Sequence, residues 1–88
     1  MAYRIAFKKS VARDLERIGR RDAKRILDGI DADLAADPER FPLLTGQFAG
    51  LRKYRVGEYR VIFIIVDKDV LVLRVQHRSD AFRRQAGV

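Results

Sequence analysis

The spacing of apolar residues predicts a strand and then a helix at the start of the chain. Apolar and polar or small residues alternate over positions 3–7, which is the period of a strand with one buried face. The period then changes, because apolar residues at positions 11, 15 and 18 form a stripe along one side of a helix. Ser10 is placed to cap the start of this helix, and Gly19 is placed to end it.

A second apolar stripe, at positions 23–34, predicts a second helix soon after the first. Asp22 is placed to cap its start. The Asp37-Pro38 pair ends it, because the residue before a proline is pushed out of the helical conformation. Together the two stripes predict a helical hairpin that packs on a sheet.

The second half of the chain predicts a loop and a three-stranded meander. Residues 37–50 hold both prolines and two of the six glycines, a composition typical of a loop. Runs of strand-forming residues follow at 51–56, 59–66 and 70–76. Beyond its first residues, the run at 59–66 is apolar on both faces, which predicts a central strand covered on both sides.

The predicted element order is therefore β-α-α-β-β-β. This order is typical of an α+β fold in which a helical hairpin packs on a mostly antiparallel four-stranded sheet. With 88 residues, the chain is expected to form a single domain over residues 1–88.

Charge is distributed unevenly along the chain. Its 14 arginines and 5 lysines oppose 12 acidic residues, for a net charge of +7. Residues 1–25 carry a net charge of +6, residues 26–51 carry −4, and residues 52–88 carry +5. Arginine suits bidentate contact with phosphate and carboxylate groups. The charge therefore indicates a polyanionic partner.

Composition excludes several other classes of function. The chain has no cysteine and one histidine, which argues against a disulfide scaffold and a structural zinc site. It has no glycine-rich phosphate loop and no apolar run long enough for a signal peptide or a membrane span. We expect a soluble cytoplasmic protein with no membrane partner, no metal and no cofactor.

The predicted turn at Gly57-Glu58 places three cations on one face of the sheet. A two-residue turn sets Arg55 directly opposite Arg60, and alternation brings Lys53 to the same face. Two arginines with Cβ atoms about 5 Å apart destabilise a sheet. Their placement therefore favours a site for an anion over a purely structural role.

The second hairpin extends this set of cations. If residues 67–69 form a three-residue loop, Val66 lies opposite Val70, Arg74 lies opposite Ile62, and Arg78 reaches the same end of the sheet. A two-residue loop would instead move Arg74 to the other face. On the first count, five cations converge: Lys53, Arg55, Arg60, Arg74 and Arg78.

Acid–base and stacking groups lie close to these cations in the sequence. His77 follows the last strand, and imidazole is the ordinary proton-transfer group near neutral pH, although a histidine at a strand end is more often structural. Glu58 in the first turn is a second candidate base. Phe82 is suited either to core packing or to stacking on a nucleobase.

The meander resembles the RelE/ParE superfamily of bacterial and archaeal toxins. The resemblance lies in Tyr54-Arg55-Val56-Gly57-Glu58-Tyr59-Arg60 and in Arg74-Val75-Gln76-His77-Arg78, and it extends over nearly the whole chain. It implies a microbial-RNase-like sheet with helices on one side. It also implies a cognate antitoxin protein that masks the basic surface.

The resemblance implies a function and a site. The RelE branch cleaves mRNA in the ribosomal A site without a metal, and the short helical hairpin and basic meander resemble this branch. Lys53 and Arg55 match its basic pair before the turn, Arg60 and Arg78 match its later arginines, and Phe82 stands where a tyrosine is expected. The predicted catalytic residues are Lys53, Arg55, Arg60, Arg78 and His77, and the predicted substrate contacts are Arg52, Arg74 and Phe82. Ribosome and mRNA are the expected partners besides the antitoxin.

Two alternatives stay open at this point. The ParE branch inhibits DNA gyrase, so gyrase is an alternative target. The chain is also compatible with a catalytically weak toxin that acts mainly by binding its antitoxin. Phe82 favours this last alternative, because a phenylalanine cannot carry a proton.

Overall fold

The structure, a computed structural model, describes residues 2–44 and 50–79. The elements are β1 (Arg4–Phe7), α1 (Lys9–Ile18), α2 (Arg20–Gly29), β2 (Arg52–Val56), β3 (Tyr59–Val66) and β4 (Asp69–His77). A π-helical turn (Ile30–Leu34) extends α2, and a 3₁₀ turn (Pro38–Arg40) follows it. The strands form one sheet in the order β1-β4-β3-β2, with β1 parallel to β4 and the other pairs antiparallel. The predicted α+β fold is confirmed.

Both helices pack on the same face of this sheet. The apolar stripes predicted from the sequence supply the helical side of the core, and alternate residues of the strands supply the other side. The buried apolar residues are Val11, Ile26, Ile30, Leu34, Tyr54, Val61, Phe63, Val70, Val72 and Val75. None of the helices in the described ranges is long and apolar enough to cross a membrane.

The second face of β3 is only partly buried. Ile62 and Ile64 alternate with the buried Val61 and Phe63, and both described helices lie on the Phe63 side. Within residues 2–44 and 50–79, the predicted cover of this strand is therefore complete on the helix side and partial on the other side. The apolar run marked a central strand correctly, but β3 is central because β2 and β4 flank it.

The two residues predicted to cap the helices, Ser10 and Asp22, form hydrogen bonds to strand residues instead. α1 already begins before Ser10, whose hydroxyl donates to the carbonyl of Leu73 at 2.8 Å. α2 begins before Asp22, whose carboxylate accepts a 3.1 Å hydrogen bond from the Tyr59 hydroxyl. The cap predictions are wrong because strand residues use these polar groups. Gly19, with φ of 102°, does end α1 as predicted.

The β3–β4 turn differs from the predicted one. Val66 pairs with Asp69, which leaves two residues, Asp67 and Lys68, in the turn. Asp67 has φ of 57°, a left-handed conformation that aspartate tolerates better than most residues. The predicted three-residue loop, with Val66 opposite Val70, is therefore wrong.

A β-bulge further along β4 offsets this difference. Phe63 pairs with Val72 and Ile62 pairs with Arg74, so Leu73 is an extra residue on the β4 side. The bulge shifts the register by one position. As a result, Arg74 lies opposite Ile62, as the sequence predicts, although the turn has two residues.

Candidate functional site

Three cations occupy the face of the sheet opposite the helices. Arg55 pairs with Arg60, and Lys53 pairs with Ile62. Tyr54 lies between the two β2 cations and is buried on the helix side, so alternation directs Lys53 and Arg55 to the other side. The pairing predicted from the Gly57-Glu58 turn is confirmed. We call Lys53, Arg55 and Arg60 the basic face.

Arg60 has an unsatisfied donor. Its Nε atom is buried and has no hydrogen-bond partner among residues 2–44 and 50–79. A buried donor without a partner costs about 1–3 kcal/mol. A ligand can reach this atom only if the side chain turns outward, and an anion on the basic face would then supply the missing acceptor.

Arg78 lies at the end of the sheet next to the Gly57-Glu58 turn. Its backbone N–H donates to the Glu58 carbonyl at 2.9 Å, and its Nε lies 3.5 Å from a Glu58 carboxylate oxygen. Both side chains are more than half exposed, at 67% and 61%. An exposed ion pair of this kind contributes at most about 1 kcal/mol. A phosphate group could therefore displace Glu58 and recruit Arg78.

Arg74 makes its contacts within the protein. Its guanidinium donates to both carboxylate oxygens of Asp14 on α1, at 3.0 and 3.1 Å. Asp14 is 6% exposed and also accepts the N–H of Val75 at 2.9 Å. β1 pairs with β4 only as far as Val72, so α1 covers the next part of that strand edge. Arg74 thus links β4 to α1. Its placement does not support the predicted role as a substrate contact.

Arg52 does not reach the basic face. It pairs with the buried Phe63, on the helix side of the sheet. Its guanidinium donates to the carbonyls of Glu39 and Phe41, at 2.9 and 2.7 Å. Arg52 therefore ties the 3₁₀ turn to β2, and the predicted substrate contact finds no support in this placement.

His77 lies across the sheet from Arg60. It pairs with Tyr59, whose hydroxyl binds Asp22 of α2, and the two rings meet edge to face with centroids 5.2 Å apart. His77 Nδ1 accepts the backbone N–H of Ser79 at 3.1 Å. The structure therefore does not place His77 on the basic face, and its catalytic role stays a prediction. Phe82 lies outside the described residues.

Comparison with known proteins identifies the family. A family model described as the ParE toxin of the type II toxin–antitoxin system parDE matches residues 5–82. The chain belongs to the RelE/ParE superfamily of type II toxins. The family resemblance drawn from the meander is confirmed.

Individual relatives of the toxin agree with this assignment. Toxin RelG of Mycobacterium tuberculosis is 33% identical over 87 residues, covering 96% of this chain and 100% of RelG. Toxin RelE of the same organism is 30% identical over 84 residues, covering 92% of this chain and 87% of that toxin.

Solved structures share the fold of the toxin. The M. tuberculosis toxin–antitoxin complex RelBE2 contains a chain with a TM-score of 0.83 and 31% identity, covering 89% of this toxin and 100% of that chain. A free R81A/R83A mutant of E. coli RelE has a TM-score of 0.71 and 20% identity, covering 96% and 98%. Because E. coli RelE is only 20% identical to this chain, the similarity to it shows the fold alone.

Tyr54 anchors the strand of the toxin that carries two of the cations. Its hydroxyl donates to Asp33 in the π-helical turn at 2.5 Å, and its ring packs 4.9 Å from that of Phe41. Burial, together with this hydrogen bond, raises the pKa of Tyr54 to about 12. A Cβ at Gly29 would lie 2.6 Å from the hydroxyl, so the glycine makes room for it. A glycine in the middle of a helical stripe was the one sequence signal of this close approach.

The basic face offers the toxin charge and hydrogen-bond donors on a sheet surface. Two clefts, of about 220 and 470 Å³, instead border Tyr59 and His77. No three His, Cys, Asp or Glu side chains gather as metal ligands within residues 2–44 and 50–79. Cationic donors on an open surface are suited to bind a phosphodiester and to stabilise negative charge that grows on it.

Proposed function

We propose that this toxin cuts mRNA on the ribosome and so blocks translation, using its own cationic side chains and no metal. The observation that carries the proposal is the basic face, where Arg60 lies opposite Arg55 and its buried Nε has no partner among the described residues. Arginines facing each other in this way gain stability when an anion lies between them. The relatives named RelG and RelE support the RelE branch over the ParE branch.

The reaction follows from the chemistry of RNA. The 2′-OH loses its proton to a base and attacks the adjacent phosphorus, the bond from phosphorus to the 5′ oxygen breaks, and the departing 5′ oxygen takes a proton from water. A 2′,3′-cyclic phosphate forms, and negative charge grows on the non-bridging oxygens in the transition state. Arg60 donates to these oxygens, and Lys53 and Arg55 hold the phosphate. A positioned donor of this kind contributes about 3–4 kcal/mol to transition-state stabilisation.

Proton transfer in this proposal falls to Glu58. Glu58 is in the turn that joins the two strands of the basic face, and it lines one cleft together with Tyr59 and His77. Glu58 is ion-paired with Arg78 in the free toxin. When Arg78 moves to the phosphate, the Glu58 carboxylate is released and can accept the proton of the 2′-OH. The ribosome contributes by orienting the substrate.

The proposal includes a protein partner. The M. tuberculosis RelBE2 structure and an E. coli RelBE structure are toxin–antitoxin complexes. We propose that a cognate antitoxin likewise binds this toxin and neutralises its basic face in the cytoplasm. An acidic segment of the antitoxin would supply the acceptor that Arg60 Nε does not find among residues 2–44 and 50–79.

The test of cleavage is Arg60→Ala, compared with wild type on programmed ribosomes. We expect cleavage to fall by about 10²-fold or more, with a melting temperature that is unchanged or higher because an unsatisfied buried donor is removed. Arg4→Ala is the matched control, since Arg4 is an exposed cation of β1 paired with Asp69. Undiminished cleavage by folded Arg60→Ala protein would overturn the assignment.

Gyrase is the second candidate target, because the family model that matches residues 5–82 is a ParE model. Following translation and replication separately after induction distinguishes the two targets. Early loss of protein synthesis supports mRNA cleavage, whereas DNA damage with intact mRNA supports gyrase. Antitoxin binding without either effect supports a catalytically weak toxin.

A further inference from the structure

His77 stands where a strand ends and a helical turn begins. β4 ends at His77, and the next two residues, Arg78 and Ser79, have a helical backbone. The residue directly before a helix normally carries a side-chain oxygen that accepts a backbone N–H of the first turn. His77 does this with its ring, because Nδ1 accepts the N–H of Ser79 at 3.1 Å. The imidazole is therefore the N-cap of this turn.

This hydrogen bond determines which ring nitrogen of His77 carries the proton. A backbone N–H can only donate, so Nδ1 is the unprotonated nitrogen and the neutral ring carries its proton on Nε2. The Ser79 hydroxyl oxygen lies 2.7 Å from the same Nδ1 atom. As long as these contacts hold, Nδ1 is engaged by the chain itself and does not take a proton from a substrate.

The ring of His77 is held by a residue that is itself anchored. It meets the ring of Tyr59 edge to face, with centroids 5.2 Å apart and an angle of 83° between the two planes. The Tyr59 hydroxyl donates in turn to Asp22 on α2 at 3.1 Å. A connected set of contacts therefore runs from α2 through β3 to the residues that follow β4.

Arg78 has a fixed backbone and an exposed side chain. Its N–H donates to the Glu58 carbonyl at 2.9 Å, and the next N–H along the chain, that of Ser79, is bonded to His77. Its guanidinium makes only an exposed ion pair with Glu58, with 3.5 Å between the nitrogen and the carboxylate oxygen. Such a pair is weak. The guanidinium can therefore move from Glu58 to a phosphate while the backbone that carries it stays in place.

We propose that His77 is a positioning residue for Arg78, and that its Nδ1 acts by capping the turn from which the Arg78 side chain extends. This inference rests on the proposed function, in which Arg78 moves to the phosphate. A donor stabilises developing charge most effectively when its position is set before the reaction. In this role His77 transfers no proton, which distinguishes it from the catalytic role predicted from the sequence.

The test compares two substitutions that separate the acceptor of His77 from its ring. His77→Phe keeps an aromatic ring against Tyr59 but offers no acceptor to Ser79. His77→Asn cannot act as an imidazole but keeps an acceptor, and asparagine is among the best N-cap residues. We expect cleavage on programmed ribosomes to fall about 10-fold in His77→Phe and to stay within about 3-fold of wild type in His77→Asn. Melting temperatures of both variants show whether the fold is kept.

A double-mutant cycle tests whether His77 acts through Arg78. Arg78→Ala alone should lower cleavage by about 10²-fold or more. If His77 acts only by positioning Arg78, adding His77→Phe to Arg78→Ala should lower cleavage little further. Ser79→Ala is the matched control, because it removes the hydroxyl near Nδ1 and keeps the backbone N–H. This control should cut mRNA as wild type does.

Nuclear magnetic resonance measures the cap without any cleavage. At pH 8, the ring nitrogens of wild-type His77 should show a proton on Nε2 and none on Nδ1. The amide of Ser79 should shift and exchange faster with solvent in His77→Phe, because its acceptor is lost. In His77→Asn, this amide should stay protected from exchange.

Three outcomes would overturn the positioning role. Equal losses of cleavage in folded His77→Asn and His77→Phe would assign proton transfer to the imidazole. Additive losses in the cycle would show that His77 acts independently of Arg78. A Ser79 amide that is unaffected by His77→Phe would show that the ring does not cap the turn. A wild-type toxin that cuts no mRNA would refute the proposed cleavage, and the amide measurements would then decide by themselves whether His77 fixes the backbone next to Arg78.

Discussion

Tyr54 determines where two of the site cations point. Because Tyr54 is buried on the helix side, Lys53 and Arg55 must point to the opposite side. Its bond to Asp33 and the space left by Gly29 hold β2 against the π-helical turn. A single hydroxyl on the core side thus supports the geometry of the basic face.

The raised pKa of Tyr54 leads us to expect that the folded protein loses stability in alkali. Its pKa is about 12 in the folded protein and about 10 when unfolded, so the neutral phenol is favoured by folding. The stability that it contributes is fully present below pH 10 and is lost as pH rises through 12. We expect the free energy of unfolding of wild type to decline over this window, and that of Tyr54→Phe to start lower and decline less.

Chemical denaturation at a series of pH values measures this difference. Tyr3→Phe is the control, because its hydrogen bond to Glu39 is exposed and longer, at 3.3 Å. This control should keep most of the alkaline decline. Parallel curves for wild type and Tyr54→Phe would contradict the assignment.

At the scale of single residues, the sequence predicted the position of the cations along the chain. It did not predict for every residue which face of the sheet the side chain lies on. The pairing of Arg55 with Arg60 follows from a two-residue turn and was predictable. The same alternation that sets Gln76 opposite Arg60 places His77 on the other face, so proximity in sequence to the arginines did not predict a shared face. The role of Tyr54 depends on Asp33, 21 residues away, and no local pattern specifies that contact.

At the scale of elements, β4 changes partner along its length. β1 covers its edge as far as Val72, and α1 covers the next part through Ser10 and Asp14. The bulge at Leu73 lies at this change of partner. Elements and their order were predictable because each has its own apolar period. The two-residue turn and the bulge were not predictable. Pairing β3 with β4 through a two-residue or a three-residue turn places apolar residues in the core in either case, and only the contact with α1 distinguishes the two registers.

Asp14 should therefore be costly to remove. Asp14→Ala leaves the Arg74 guanidinium and the Val75 N–H without their acceptor. We expect a loss of about 3 kcal/mol in the free energy of unfolding, at the low end for a broken buried pair because Arg74 is one-third exposed. Asp14→Asn should lose less, because its amide oxygen can still accept the Val75 N–H.

Urea denaturation of both variants provides the measurement. Asp69→Ala is the control, since its ion pair with Arg4 is exposed and contributes at most about 1 kcal/mol. Equal losses in Asp14→Ala and Asp69→Ala would show that the contact with α1 does not stabilise the β4 edge.

At the scale of the whole molecule, positive charge lies on both sides of the sheet. The basic face is formed by the second half of the sequence, and the exposed cations of α1 and α2 belong to the first half. The segment 26–51, with its net negative charge, lies between them in the chain. Composition alone indicated a polyanionic partner. Only the three-dimensional arrangement separates the charge into two surfaces, because strand alternation and helix packing decide which side each cation faces.

This separation predicts how an antitoxin distinguishes the two surfaces. If the antitoxin neutralises the basic face, Lys53→Gln/Arg55→Gln should weaken its binding and reduce the salt dependence of that binding. A Lys9→Gln/Arg13→Gln/Arg17→Gln variant, which removes three exposed cations of α1, should bind the antitoxin nearly as well as wild type does. Titration calorimetry at several salt concentrations measures both effects.

Hydrogen exchange locates the antitoxin directly. Binding should protect the backbone amides of β2 and β3, because an acidic segment over Arg60 would exclude water from the open side of these strands. Amides of α1 should exchange as in the free toxin. Protection confined to the helices, or affinity independent of salt, would place the antitoxin on another surface. The basic face would then be free in the complex, and inhibition would have to occur by a route other than charge neutralisation.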